Sequence, residues 1–229
     1  MAYSEEDFQI EIDGIIYEIG AANSNVQDFS RRHFNSVREN AVVYCLSRAT
    51  DIAQGCLSLS KSNLLAALGM LDRGLLECLM WICWVVKADA NAQTYRDLAV
   101  NELRRITRKN LRTGYGKVFD KVTQEDMTQE FLKSPEMQNI PRRVRIEDVA
   151  VEAGLERLYT QFYGAMSLEA HGSAFGISGS NDTEESRFVS LASANSILEC
   201  INLVAENWIV KRTQTEISEI YRVLGLSRG

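Results

Sequence analysis

Two groups of polar side chains stand where the surrounding pattern calls for apolar ones. Arg73 and Glu77 interrupt the most apolar stretch of the chain, Leu64 to Val86. Four residues apart on a helix, they share a face and reach each other. Burying either charge alone is expensive, so each must find a partner. The second group is Tyr163, Ser167 and His171, again spaced by four. That step drifts by about 40° each time, so the three side chains line one slowly winding helical stripe. The stripe is the best available partner for the Arg73–Glu77 pair, and the two distant segments are therefore expected to meet.

Two kinds of chemistry fit such a junction. One is a satisfied buried network that fixes helix register. The other is a catalytic site in which His171 is the titratable centre, Glu77 orients it and Arg73 holds an anion. A Ser167/His171/Glu77 hydrolase triad would also need an exposed nucleophile and an oxyanion hole, and the chain has no nucleophile-elbow pattern. A third feature is electrostatic. Arg104, Arg105, Arg108, Lys109, Arg112 and Lys117 fall within fourteen residues without an acid among them. Arg104, Arg108 and Arg112 share one helix face, and Arg142, Arg143 and Arg145 follow further on. Arg104, Arg105, Arg108, Lys109 and Arg112 thus form a candidate surface for RNA or another polyanion. Only Tyr115 and Phe119 are placed to stack on bases, and a solvated face is the competing reading.

The elements that would position these residues read as helices. With only 2 prolines in 229 residues, long uninterrupted helices are expected. Helical spacing predicts helices over about Val26–Leu57, Ser62–Val86, Asp89–Arg112 and Leu155–Ala170. In the third of these, Tyr95, Leu98, Leu103 and Ile106 are expected to face inward. Asp182 with Glu185 predicts a capping-box start for a further helix, and a short one follows from about Gln214 to Leu224. Residues 113–146, which hold both prolines, read as an irregular connector, and Gly172–Asp182 as a loop without a phosphate-cradling GxxxxGK. The first 22 residues are ambiguous. Phe8, Ile10 and Ile12 alternate with polar residues before Asp13-Gly14, then Ile15, Tyr17 and Ile19 follow, which favours a β-hairpin about a type I′ turn. The rival is a helix with Phe8, Ile12, Ile15, Ile16 and Ile19 on one stripe; it leaves Ile10 and Tyr17 outside and Gly14 in its interior. The expected class is all-α: a single helical bundle over 1–229, with or without that hairpin.

Leu71-Asp72-Arg73-Gly74-Leu75-Leu76-Glu77 with Trp81 and Trp84, Ala92 to Tyr95, and the Tyr163-x-x-x-Ser167-x-x-x-His171 segment resemble a family of prokaryotic helical proteins of unknown function. The resemblance covers roughly residues 55–175. It implies an all-α fold and a shared Arg73/Glu77/His171 cluster, and it supplies no activity. More widely, the chain is similar to HEPN-like bundles of microbial defence and toxin–antitoxin systems. Active ribonucleases of that type carry an Arg shortly before the His. Here Met166, Ala165 and Gly164 occupy those places, so the resemblance implies RNase chemistry only if Arg73 substitutes from another helix.

Composition narrows the classes further. Hydrophobic residues at 45% and charged ones at 24% exclude a disordered or fibrous chain. A chain of this size buries about 70% of its surface on folding and needs no staple. Cys45, Cys56, Cys78, Cys83 and Cys200 are odd in number and lie in apolar patterns, which reads as reduced core thiols in a cytoplasmic protein. No CxxC is present and the two histidines, His33 and His171, lie far apart, so neither a metal site nor a cofactor is expected. The first twenty residues are acidic, unlike a secretory signal. Asp72, Arg73 and Glu77 make insertion of Leu64–Val86 into a membrane marginal at best. The expected partners are a second copy of the chain, another protein, or RNA.

Overall fold

The computed structural model describes residues 3–31, 36–60, 64–164 and 184–226, and among them the chain is all-α. The helices are α1 (Glu5–Arg31), α2 (Val37–Ser60), α3 (Leu65–Val85), α4 (Asp89–Arg112), α5 (Thr128–Lys133), α6 (Pro135–Gln138) and α7 (Ile146–Ala153). After them come α8 (Glu156–Leu158), which runs into a π turn at Tyr159–Tyr163, and α9 (Glu184–Glu206), which runs into another at Asn207–Lys211; α10 (Ile217–Val223) is last. His33, Ser167, His171 and the expected loop 172–182 lie outside the described residues.

The first compact unit comprises residues 1–92 and 146–229. α3 lies at its centre, packed against α2, α9 and α7. Leu68, Leu75, Leu79, Met80 and Ile82 of α3 are completely buried. The helix closes against α2 through small residues: a Cβ on Gly55 would meet Leu71, and one on Gly74 would meet Ile52.

The expected N-terminal β-hairpin is not formed; α1 is one continuous helix. Three local causes outweigh the alternating pattern and the Asp13-Gly14 turn signal. First, Ser4 and Asp7 make a capping box. The Ser4 backbone N–H donates to Asp7 Oδ2 at 2.7 Å, and the Asp7 N–H donates to Ser4 Oγ at 3.2 Å. Second, Phe8, Ile15, Ala22 and Phe29 recur every seven residues, and all four are buried. Third, Gly14 is a helix-crossing residue, since a Cβ there would stand 2.4 Å from Asn195 Nδ2. Asn195 donates to Glu11 Oε2 at 2.9 Å, and Asn202 donates to Glu18 Oε2 at 2.6 Å and to the Glu18 carbonyl at 2.9 Å. Partners seven residues apart on both helices, in the same order, make α1 and α9 a parallel pair.

Other boundaries move as well. The helix expected from Val26 is divided: α1 ends at Arg31, and α2 starts at Val37 behind its own capping box, Ser36 with Glu39. Glu39 is buried and accepts from Arg212 at 2.6 Å, so the cap is also tied to the residue that ends the second π turn.

Residues 93–145 form the second compact unit, in which the stretch read as a connector packs with α4. Phe119 and Asp126 pair in an isolated antiparallel bridge, and Val118 N–H donates to Thr128 Oγ1 at 3.0 Å. Arg105 donates to Glu102 at 2.9 Å and to the Pro141 carbonyl, while Arg108 donates to the Met137 carbonyl at 3.0 Å. Leu103 and Ile106 do not face inward as expected. They are 64% and 50% exposed, because in this unit the chain following α4 packs on the side of the helix that carries Arg105 and Arg108.

Candidate functional site

The two polar groups converge as far as the described residues go. Arg73 Nη2 donates to Tyr163 Oη at 2.7 Å, and that hydroxyl donates onward to Glu77 Oε1 at 2.7 Å. Arg73 and Glu77 also form a direct ion pair at 3.3 Å, with side chains 22% and 25% exposed. Tyr163 is buried and comes from a helix segment almost ninety residues further along. Local structure explains how it gets there. Gly154, with φ +83°, turns the chain after α7, and the π turn Tyr159–Tyr163 then inserts an extra residue per turn, which re-aims the side chains at its end. Tyr159 stacks on Tyr163 with ring centroids 5.0 Å apart, and the Arg73 guanidinium lies 4.8 Å from the Tyr163 ring centroid.

The charge states follow from this geometry. Burial raises the pKa of Tyr163, and its hydrogen bond to Glu77 holds the proton further, so the phenol is a donor and not a nucleophile at neutral pH. Burial alone would lower the pKa of Arg73. The bond to Tyr163 and the charge of Glu77 outweigh it, and the guanidinium stays charged. Among the described residues the buried Nε of Arg73 has no hydrogen-bond partner. The cluster is thus a bonded cation–phenol–carboxylate set with one unused donor edge.

One buried acid escaped the sequence reading as part of this neighbourhood. Asp72 is only 2% exposed, less than either neighbour in the motif, and Cys56 Sγ approaches its Oδ1 at 3.9 Å. The signal was three charges in one apolar helix, of which the four-residue pair accounts for two. Burial, and then the charge of Asp72, push the Cys56 thiol far up. Burial likewise pushes Cys78 and Cys83 up to about 12, so these thiols are unreactive core groups. Among the described residues no three or more His, Cys, Asp or Glu gather as a metal would require.

The basic stripe is divided. Arg105 and Arg108 hold the chain that follows α4, as described above, and Lys117 pairs with Asp126 at 3.1 Å. Lys109 and Arg112 are exposed on α4, and Arg104 is half-exposed. One helical stretch among the described residues, Glu184–Lys211, is long and apolar enough to cross a membrane by length and composition, and half of its most apolar window is buried inside the molecule.

An all-α protein in which a central apolar helix pairs its Arg-x-x-x-Glu with a tyrosine from a distant segment is the class these observations define. Residues 39–189 match a family of unknown function, DUF5677, and the chain belongs to that family. The match takes in all but the first two residues of α2, then α3, α4 and Tyr163, and so spans the whole Arg73–Tyr163–Glu77 junction. No curated protein and no solved structure gives a significant match.

Proposed function

We propose that the protein is a non-catalytic helical module that acts through protein–protein contacts or regulation, in a microbial system of the defence or toxin–antitoxin type. The observation that carries this reading is the Tyr163 hydroxyl, which donates to Glu77 while accepting from Arg73. The bonds that a catalytic Arg and Glu would offer a substrate are spent on each other, and the phenol between them keeps its proton. A network of that kind fixes the register of the helices that carry it. The HEPN-like resemblance of the motifs supports the biological setting.

A second reading is favoured by one observation, the buried Nε of Arg73, which has no partner among the described residues. It offers a donor to an anion, and Ser167 and His171 continue the spacing of Tyr163 in the sequence. In that reading the protein is an RNA- or nucleotide-cleaving enzyme, with His171 as general acid–base and Arg73 stabilising phosphate charge. RNA binding by Arg104, Lys109 and Arg112 is independent of either.

The deciding experiment compares His171→Ala and Arg73→Lys with the parent chain. The readouts are thermal unfolding, cleavage of a labelled RNA pool and growth inhibition on expression. The module reading expects no cleavage by the parent, and an effect of Arg73→Lys on stability. Cleavage by the parent that disappears in a normally folded His171→Ala variant establishes the enzyme instead.

A further inference from the structure

The two units carry opposite charge. Residues 93–145 hold 12 Lys and Arg against 7 Asp and Glu, and the rest of the chain holds 13 against 24. Each unit also has one long helix with an uncovered apolar stripe. On α1, Ile10 and Tyr17 lie opposite the buried Phe8–Ile15–Ala22–Phe29 seam and with the exposed Glu6 and Asp13 form an acidic, apolar face, with Ile16 exposed on its flank. On α4, Val100, Leu103 and Ile106 form a stripe near Arg104 and Lys109. These six apolar side chains are between 50% and 73% exposed. The α4 stripe steps by three, whereas on α1 Ile10 and Tyr17 are seven apart, with Glu6 before them and Asp13 between them at three- and four-residue steps. α1 as a whole carries seven acids and one base, while α4 carries six bases and three acids.

We infer that the α4 stripe of one chain docks on the α1 stripe of a second copy. The two faces match in two respects: helical length and opposite charge. Neither α1 nor α4 would pack comfortably against its own equivalent, because like charges would then be brought together. Each chain carries both stripes, so a reciprocal exchange doubles the area, and a one-way exchange gives a chain of copies. Charge complementarity makes the association fall with salt.

The test is sedimentation equilibrium of the full chain at low and at high salt, with two variants. Asp13→Lys reverses the acidic face, and the Arg104→Glu/Lys109→Glu double variant reverses the basic one. All three positions are exposed or half-exposed, and circular dichroism checks that the helices remain. The expected result is an oligomer in the parent that salt weakens. Each variant should lose at least tenfold in self-affinity, and the two variants mixed should regain it in a hetero-oligomer. A parent that stays monomeric at 100 µM overturns the inference, as does an oligomer that ignores both variants. A monomer that instead binds a 20-nucleotide single-stranded RNA through the same basic residues also overturns it and assigns α4 to nucleic acid.

Discussion

α3 and α4 are consecutive helices of similar length, and they solve opposite problems. α3 is apolar nearly all round and sits at the centre of its unit, so its three charged residues had to be drawn into bonded partners: Arg73 and Glu77 with Tyr163, and Asp72 in contact with Cys56. α4 is rich in charge, and it spends Arg105 and Arg108 on holding the chain that follows it while leaving Leu103 and Ile106 in water. A side chain's environment is set by what covers its helix face, not by its own polarity. In α3 the polar groups are costly and in α4 the apolar ones are, and costly groups are where function is sought first.

The sharpest way to test that contrast is to truncate one leucine on each helix. Leu79 is completely buried, and Leu79→Ala should cost about 2–5 kcal/mol through lost transfer energy and the cavity left behind. Leu103→Ala removes the same atoms from a side chain 64% exposed and should change stability by less than about 0.5 kcal/mol in dilute solution. Urea unfolding of both variants decides it. Equal losses would mean that α4 is covered after all.

A smaller effect is expected at the junction itself. Tyr163→Phe keeps the ring beside Arg73 but removes the hydroxyl that links it to Glu77, leaving two mostly buried polar groups short of a partner. The cost should be about 1–3 kcal/mol. Glu77→Gln should cost a similar amount, and the double variant less than the two added, because both act on one network. Strict additivity in that cycle would show that the three groups are neighbours without being coupled.

This junction was legible because the argument is one of cost: charges in a buried helix must be matched, and few segments offer a polar stripe. Tyr163 meets that expectation, while Ser167 and His171 lie outside the described residues. Helical class and the span of α4 were legible for the same reason, since period is local; the capping box expected at Asp182 lies outside the described residues. What was not legible depends on contacts between elements. Spacing showed that Leu103 and Ile106 form a stripe but not that both stand exposed among the described residues. Alternation and Asp13-Gly14 pointed to a hairpin, because no local rule reveals that Gly14 is small so that Asn195 of α9 can approach. Asp72 went unnoticed as a site neighbour because pairing was sought only at helical spacing.

The same contrast between covered and open faces exists within α1, at the level of single glycines. Gly14 and Gly20 both sit inside the helix, where alanine has the better propensity by about 1 kcal/mol. A Cβ at Gly20 would meet no described residue within 4 Å beyond its own helix backbone, so Gly20→Ala should stabilise the protein by up to about 1 kcal/mol. A Cβ at Gly14 would stand 2.4 Å from Asn195 Nδ2, which must then move and give up its 2.9 Å bond to Glu11. The propensity gain is offset by that loss, and Gly14→Ala should destabilise by about 1 kcal/mol. Opposite shifts in melting temperature for the two variants would fix the α1–α9 crossing at Gly14. Stabilisation by both would mean that the two helices stand further apart than described, and that the Asn–Glu pairs along the seam do not hold them in register.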